Sequence, residues 1–350
     1  GGNTTLNAGT QLTAHDVSVG GDLNAQAKNI TVTSVTGKGN AVLTADKNVT
    51  LAGAFSAKNN AVLTAGEPAT LGGKTDVGET LTANVGRDFV TNGAVTTGKE
   101  LIANVGNDAV TNGIVTTNGV LKWNVGNDFT VNAAVLSHGT TTIDAQNVNL
   151  NADLMSDKNL TITAKNNIFT KEGTNLSTKA DGRLKARTAD LGGDVHADGT
   201  LTIETDEQLA AKNITAGGDA VLTPGTDITV NDVTVGGNLN AKAVNITAQN
   251  ISAGGNAALN AETALTAQNI SAGSDLNAKA VNITAENITA GGNATLNSGA
   301  ELSAKDVNVG GNADITAGTN LTANDVSVGG DLNAKGQNIH AVHIKSTGKT

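Results

Sequence analysis

Residues 291–309 read GGNATLNSGAELSAKDVNV, and residues 310–328 restate them as GGNADITAGTNLTANDVSV. Each copy breaks into three short pieces of alternating apolar and polar residues, joined by small polar turns. In the first copy Ala294 and Leu296 share one parity, then Ala300, Leu302 and Ala304, then Val307 and Val309. Side chains in a strand alternate faces, so these sets point to one side while Thr295, Asn297, Glu301, Ser303 and Asn308 point to the other. No single piece has enough apolar surface to fold alone. Bending three strands into a coil and stacking the next coil on it buries every inward set in one core. The same stacking gives each backbone amide a partner above or below. The expected fold is all-β, a parallel β-helix (solenoid) with three short strands per coil. An antiparallel sandwich would want longer strands and aromatic core residues, whereas this chain has no Tyr and 1% aromatics.

One apolar column carries the register outward, running from Leu6, Leu23, Leu43 and Leu63 through Leu239, Leu259, Leu276 and Leu296 to Leu332. It predicts about 18 coils of roughly 19–20 residues, and a rod on the order of 85 Å long at the strand spacing. Because a solenoid unit touches only its neighbours, all of residues 1–350 are expected to form one repeat domain. Within it, coils are regular over 1–155, irregular over 156–196, and regular again over 197–350, where short and long units alternate. The 43 glycines against 2 prolines read as turn punctuation in a chain that is 38% hydrophobic.

No run of about eighteen apolar residues and no basic-then-apolar leader is present, so neither a membrane span nor a signal peptide is expected in this stretch. The repeat pattern at both ends reads as a piece of something longer. A formal charge of −10 argues against nucleic acid and anionic membranes as partners. The absence of Cys fits either a reducing cytosol or an exported chain that crosses a membrane unfolded.

Several residues invite a chemical reading. The near-identical NVGRDF, NVGNDA and NVGNDF at Asn84, Asn104 and Asn124 put Phe89, Ala109 and Phe129 in one column and Asp88, Asp108 and Asp128 in another. Stacked carboxylates about 4.8 Å apart repel by roughly 1 kcal/mol per neighbour pair in water, which a bound cation would offset. Calcium wants more oxygens, and the GGxGxDxUx signature of calcium β-rolls is missing, so solvated turn carboxylates are the simpler reading. Asn240, Asn260, Asn277 and Asn297, and likewise Asn250, Asn269 and Asn287, are expected at turns, where stacked carboxamides can bond along the axis. The N-x-[ST] matches at Asn245 and Asn282 arise from the repeat itself. His15, His138, His196, His340 and His343 fall at unrelated phases, and only His340 and His343 are near enough to suggest a metal pair. Trp123 has inward parity and is expected to fill the core or force a bulge.

The stretch KEGTNLSTKADGRLKAR carries Lys171, Lys179, Arg183, Lys185 and Arg187, a local basic excess. It reads as an enlarged turn, or as a bump that contacts a partner. No acid, base and nucleophile converge, so an enzyme is not expected, nor is a cofactor; a polysaccharide-cleaving β-helix is the least favoured alternative. Thr247 and Thr284 stand in regular columns, but the strict T-x-T face of an ice binder is missing.

Units of the form GGN-x-x-L-x-A-G-x-x-L-x-A-x-x-V-x-V closely resemble the filamentous haemagglutinin repeats of large bacterial exoproteins secreted by the two-partner route. Residues 291–328 carry the resemblance best, helped by 1–19, 37–65 and 217–290. It implies a right-handed β-helical shaft, exported through an outer-membrane two-partner transporter and displayed by, or secreted from, a Gram-negative cell. It further implies that the parent protein is an adhesin or a contact-dependent growth-inhibition effector, which meets a receptor on a host or neighbouring cell. Neither role falls on particular residues, and a lateral carbohydrate- or receptor-binding surface is the alternative to a pure stalk.

Overall fold

A computed structural model describes residues 2–349. The chain is all-β, with no helix among the described residues, and winds into a parallel β-solenoid of about 18 turns. It divides into two compact units, Gly1–Ala180 and Asp181–Thr350.

The first unit shows the three-strand coil at its clearest. Along strands Ala41–Ala45, Val49–Leu51 and Phe55–Ala57 buried and half-buried residues alternate, each strand beginning and ending on a buried one. The next coil repeats them at Ala61–Ala65, Ala69–Leu71 and Thr75–Val77. Pairing is parallel and in register, with Leu43 against Leu63, Leu51 against Leu71 and Phe55 against Thr75. Every inward side chain therefore sits over the inward side chain of the coil beneath.

In the second unit the coils are shorter, and the second and third strands fuse. The strand Asn282–Ala290 buries Ile283, Ala285, Ile288 and Ala290, leaving Glu286 and Asn287 as two successive outward residues. That break in parity is the corner: a strand keeps one face inward only by alternation, so two outward residues in a row turn the chain.

The leucine column read from the sequence divides into two. Leu239 pairs with Ala257 and Ala241 with Leu259; Ala257 then pairs with Leu276 and Leu259 with Ala278. The pattern continues with Leu276 against Ala294 and Ala278 against Leu296. Large thus stacks on small at both inward positions of the first strand. This swap keeps the summed volume of the two positions constant from coil to coil, as does the other arrangement found in the chain, large on large beside alanine on alanine, at Leu43–Leu63 with Ala41–Ala61 and at Leu296–Ile315 with Ala294–Ala313. The apparent alternation of short and long units follows from this swap of leucine between two neighbouring positions, and the paired residues themselves recur every 18 or 19.

Over 156–196 the coils continue through strands Leu160–Thr170, Asn175–Thr178, Gly182–Ala186 and Thr188–Ala197. The departure from regularity is local. Asn151 bonds to Asn132 across 19 residues, whereas Asn175 bonds to Asp153 across 22. The added residues form the turn at Lys171, where Thr174 donates both N–H and Oγ1–H to the Lys171 carbonyl. Gly173 lies at φ 81°, the single positive φ among the described residues.

Candidate functional site

The polar side chains gather into columns that run along the coil axis. The first follows the glycine pairs. Asp219 Oδ1 accepts from the Asn238 backbone N–H at 2.7 Å, Asn238 Oδ1 from Asn256 at 2.9 Å, and Asn256 Oδ1 from Asp275 at 3.0 Å. Asp275, Asn293 and Asn312 extend the series to Asp331 at 2.7–2.8 Å. Each turn thereby satisfies a backbone donor that a sharp bend leaves without a strand partner. Sequence reasoning missed this column, although the signal was present: from Gly217 onward the residue after each Gly-Gly is Asn or Asp, and Asp275 follows Gly273-Ser274.

The glycines serve that column by their size. A Cβ on Gly255 would stand 2.6 Å from Asn238 Oδ1, and one on Gly254 would stand 2.3 Å from the Gly236 carbonyl oxygen. Neither needs a left-handed backbone. What reads as turn punctuation is close approach of one coil to the next.

A second column marks the corner before the third strand. Asn250 Nδ2 donates to Asp232 at 2.6 Å, Asn269 to Asn250 at 2.6 Å, and Asn287 to Asn269 at 2.7 Å. The carboxamide ladder expected at Asn250, Asn269 and Asn287 is present. The other asparagines differ from expectation. Asn240, Asn260, Asn277 and Asn297 lie within strands and face outward, and Asn260 stacks between Lys242 and Lys279 instead of on another Asn. They follow the leucine, and the leucine changes position from coil to coil.

The aspartate column is held from above. Asp88 Oδ1 accepts from Asn107 Nδ2 at 2.6 Å and from the Asp108 N–H at 3.3 Å. Asp108 accepts from Asn127 Nδ2 at 2.7 Å and the Asp128 N–H at 3.1 Å, and Asp128 from Asn147 Nδ2 at 2.7 Å. Donors from the following coil offset the repulsion between like charges. Among the described residues no group of three or more His, Cys, Asp or Glu stands close enough to hold a metal ion. His340 pairs in register with Thr322 and His343 with Asp325, so the two histidines occupy different columns.

Trp123 fills the core. It pairs with Ala103 below and Ile143 above, and its indole lies 4.9 Å from the Phe129 ring and 5.8 Å from Phe89. Reaching Phe89 takes it past the coil of Ala103 and Ala109, whose small side chains leave the room. Hydroxyl side chains also enter the core, at inward-parity positions that end the third strand of a coil. Thr117 Oγ1 donates to the Lys99 carbonyl at 3.1 Å, Ser137 to Gly119 at 3.0 Å and Ser156 to Gly139 at 3.0 Å.

The basic stretch is largely neutralised where it stands. Lys179 pairs with Asp157 at 2.8 Å, Arg183 with Glu204 at 2.8 Å and Arg187 with Glu207 at 2.9 Å. Lys171 and Lys179 belong to the first unit, and Arg183, Lys185 and Arg187 to the second. Open troughs line the surface elsewhere. One of 560 Å³ follows Asn84, Asn104 and Asn124, and one of 610 Å³ follows Asp219, Asn238, Asn256 and Asp275. Neither is lined by His, Lys or Ser.

Three carboxyls lie below their ordinary value of 3.8. Asp157 is held down by hydrogen bonds from His138 and Lys179, Asp16 by those from Ser34 and His15, and Asp181 by the backbone N–H and hydroxyl of Thr200. A carboxyl depressed in the folded state adds stability above its unfolded value, and this is lost as pH falls through the folded value. Denaturant midpoints measured through the acid range should therefore drop below pH about 4. An Asp157→Asn variant should lose less than the parent over the same range.

No family model, curated protein or solved structure matches the chain.

Proposed function

We propose that this chain is a stiff shaft segment of a large secreted bacterial surface protein, acting by reach instead of by chemistry. One observation carries the reading: turns as well as strands are bonded along the coil axis, by side-chain columns such as Asp219 to Asp331 in addition to the backbone pairing. A polymer cross-linked in this way at every level resists bending within each unit, as repeat proteins with nearest-neighbour interfaces do. The resemblance of residues 291–328 to filamentous haemagglutinin repeats supports export by the two-partner route and a role in adhesion or contact-dependent growth inhibition. The lack of Cys is consistent with that passage.

The lateral-surface alternative rests on Lys171 and Lys185, which have no ion-pair partner among the described residues. Deleting residues 254–290 in the parent protein separates the two readings. Gly254, Gly273 and Gly291 stack directly, so the deletion removes two whole coils in register. A shaft shortens by about 10 Å in solution scattering and keeps attachment to its target. Unchanged dimensions, or loss of all attachment, would overturn the proposal.

A further inference from the structure

Three Asn-Gly pairs occur in the first unit, at Asn92, Asn112 and Asn118. Asn-Gly is the sequence most open to attack of a backbone nitrogen on the preceding side-chain amide, because glycine places no Cβ in the way. The structure treats the three pairs differently. Asn112 donates Nδ2–H to Asn92 at 2.9 Å and accepts from Asn132 at 2.8 Å. The following amides are also engaged, Gly93 with the Leu71 carbonyl at 3.4 Å and Gly113 with that of Thr91 at 3.2 Å. Asn118 is exposed, and no hydrogen bond holds its carboxamide among the described residues. The Gly119 N–H reaches only Thr117 Oγ1, at 3.4 Å, and that oxygen already accepts from Thr97 Oγ1 at 2.8 Å.

A second observation comes from the coil above. Thr117 pairs with Ser137, and the His138 N–H bonds to the Thr117 carbonyl, so His138 follows Asn118 in the same axial column. Its Nδ1 lies 2.7 Å from Asp157, whose other oxygen pairs with Lys179 at 2.8 Å. A carboxylate at Nδ1 holds the proton on that nitrogen and leaves the lone pair on Nε2. The column thus runs Asn118, His138, Asp157, Lys179: a neutral amide, then a base, an acid and a cation.

We infer that Asn118 is a site of selective self-deamidation, with His138 as its neighbouring base. The Gly119 nitrogen gives its proton to His138 Nε2 and attacks Asn118 Cγ. The bond from Cγ to the amide nitrogen breaks, and that nitrogen takes the proton and leaves as ammonia. Water then opens the resulting succinimide at either carbonyl, giving aspartate or isoaspartate. The new carboxylate extends an alternating column in which His138 stands between two acids, and isoaspartate lengthens the backbone at an exposed turn.

Peptide mass spectrometry of the folded protein, incubated at neutral pH and sampled over time, tests this. Asn118 should convert at least about tenfold faster than Asn92 and Asn112, whose side chains and amides must first leave their bonds. In urea the three rates should converge. A His138→Gln variant should slow Asn118 about threefold or more through loss of the base, leaving Asn92 and Asn112 unchanged. Equal rates at all three sites in the folded protein would overturn the inference, and an Asn118 rate indifferent to His138→Gln would remove the base.

Discussion

Replacing Trp123 with Ala should cost about 3–5 kcal/mol of stability, read as a fall in the denaturant midpoint of the purified chain. The indole is buried and spans two coil spacings, packing on Phe129 and Phe89. Its neighbours in register are Ala103, too short to reach into the space, and Ile143, stiff at its branched Cβ. Trp123→Phe should cost far less, because the indole Nε1–H is buried without a partner and its removal deletes an unsatisfied donor while keeping most of the volume. Equal losses for the two variants would contradict this account of the site.

Gly106→Ala should destabilise by about 1–3 kcal/mol although it adds one methyl group at a turn. A Cβ there would stand 2.1 Å from the Gly86 carbonyl oxygen, backbone that cannot swing aside. The same glycine lies beneath Gly126, whose Cβ would meet the Gly106 carbonyl at 2.1 Å, so pushing one coil up drives it into the next. Gly299→Ala provides the control, since a Cβ at that turn would meet nothing closer than Val281 Cα at 3.5 Å, an ordinary contact. A stability change at Gly106 no larger than at Gly299 would show that the coils have slack the stacked geometry does not reveal.

The contrast between these glycines shows how far local pattern reaches. Gly299 and Gly106 look alike in the sequence, each a small residue at a turn between alternating strands. Their difference arises from the residue one coil away, roughly twenty positions distant, which no local signal reports. The aspartates behave similarly. The column of Asp88, Asp108 and Asp128 was legible from the repeat, but the donors that hold it, Asn107, Asn127 and Asn147, come from the next coil at an offset of 19. The basic residues looked like a free patch because Glu204 and Glu207, the partners of Arg183 and Arg187, lie one coil further on.

From the amino-acid order alone came the parallel solenoid, the number of coils, the inward parity of Trp123, the Phe89–Ala109–Phe129 column and the corner ladder at Asn250, Asn269 and Asn287. All of these follow from a period of two within strands and a period near nineteen between them, both properties of the chain itself. Packing alone decided that leucine stacks on alanine from Leu239 to Leu296 and that the paired glycines are spacers. Those outcomes depend on the volume left by the coil above and the coil below, and volume is shared between neighbours in space, not written at any one position.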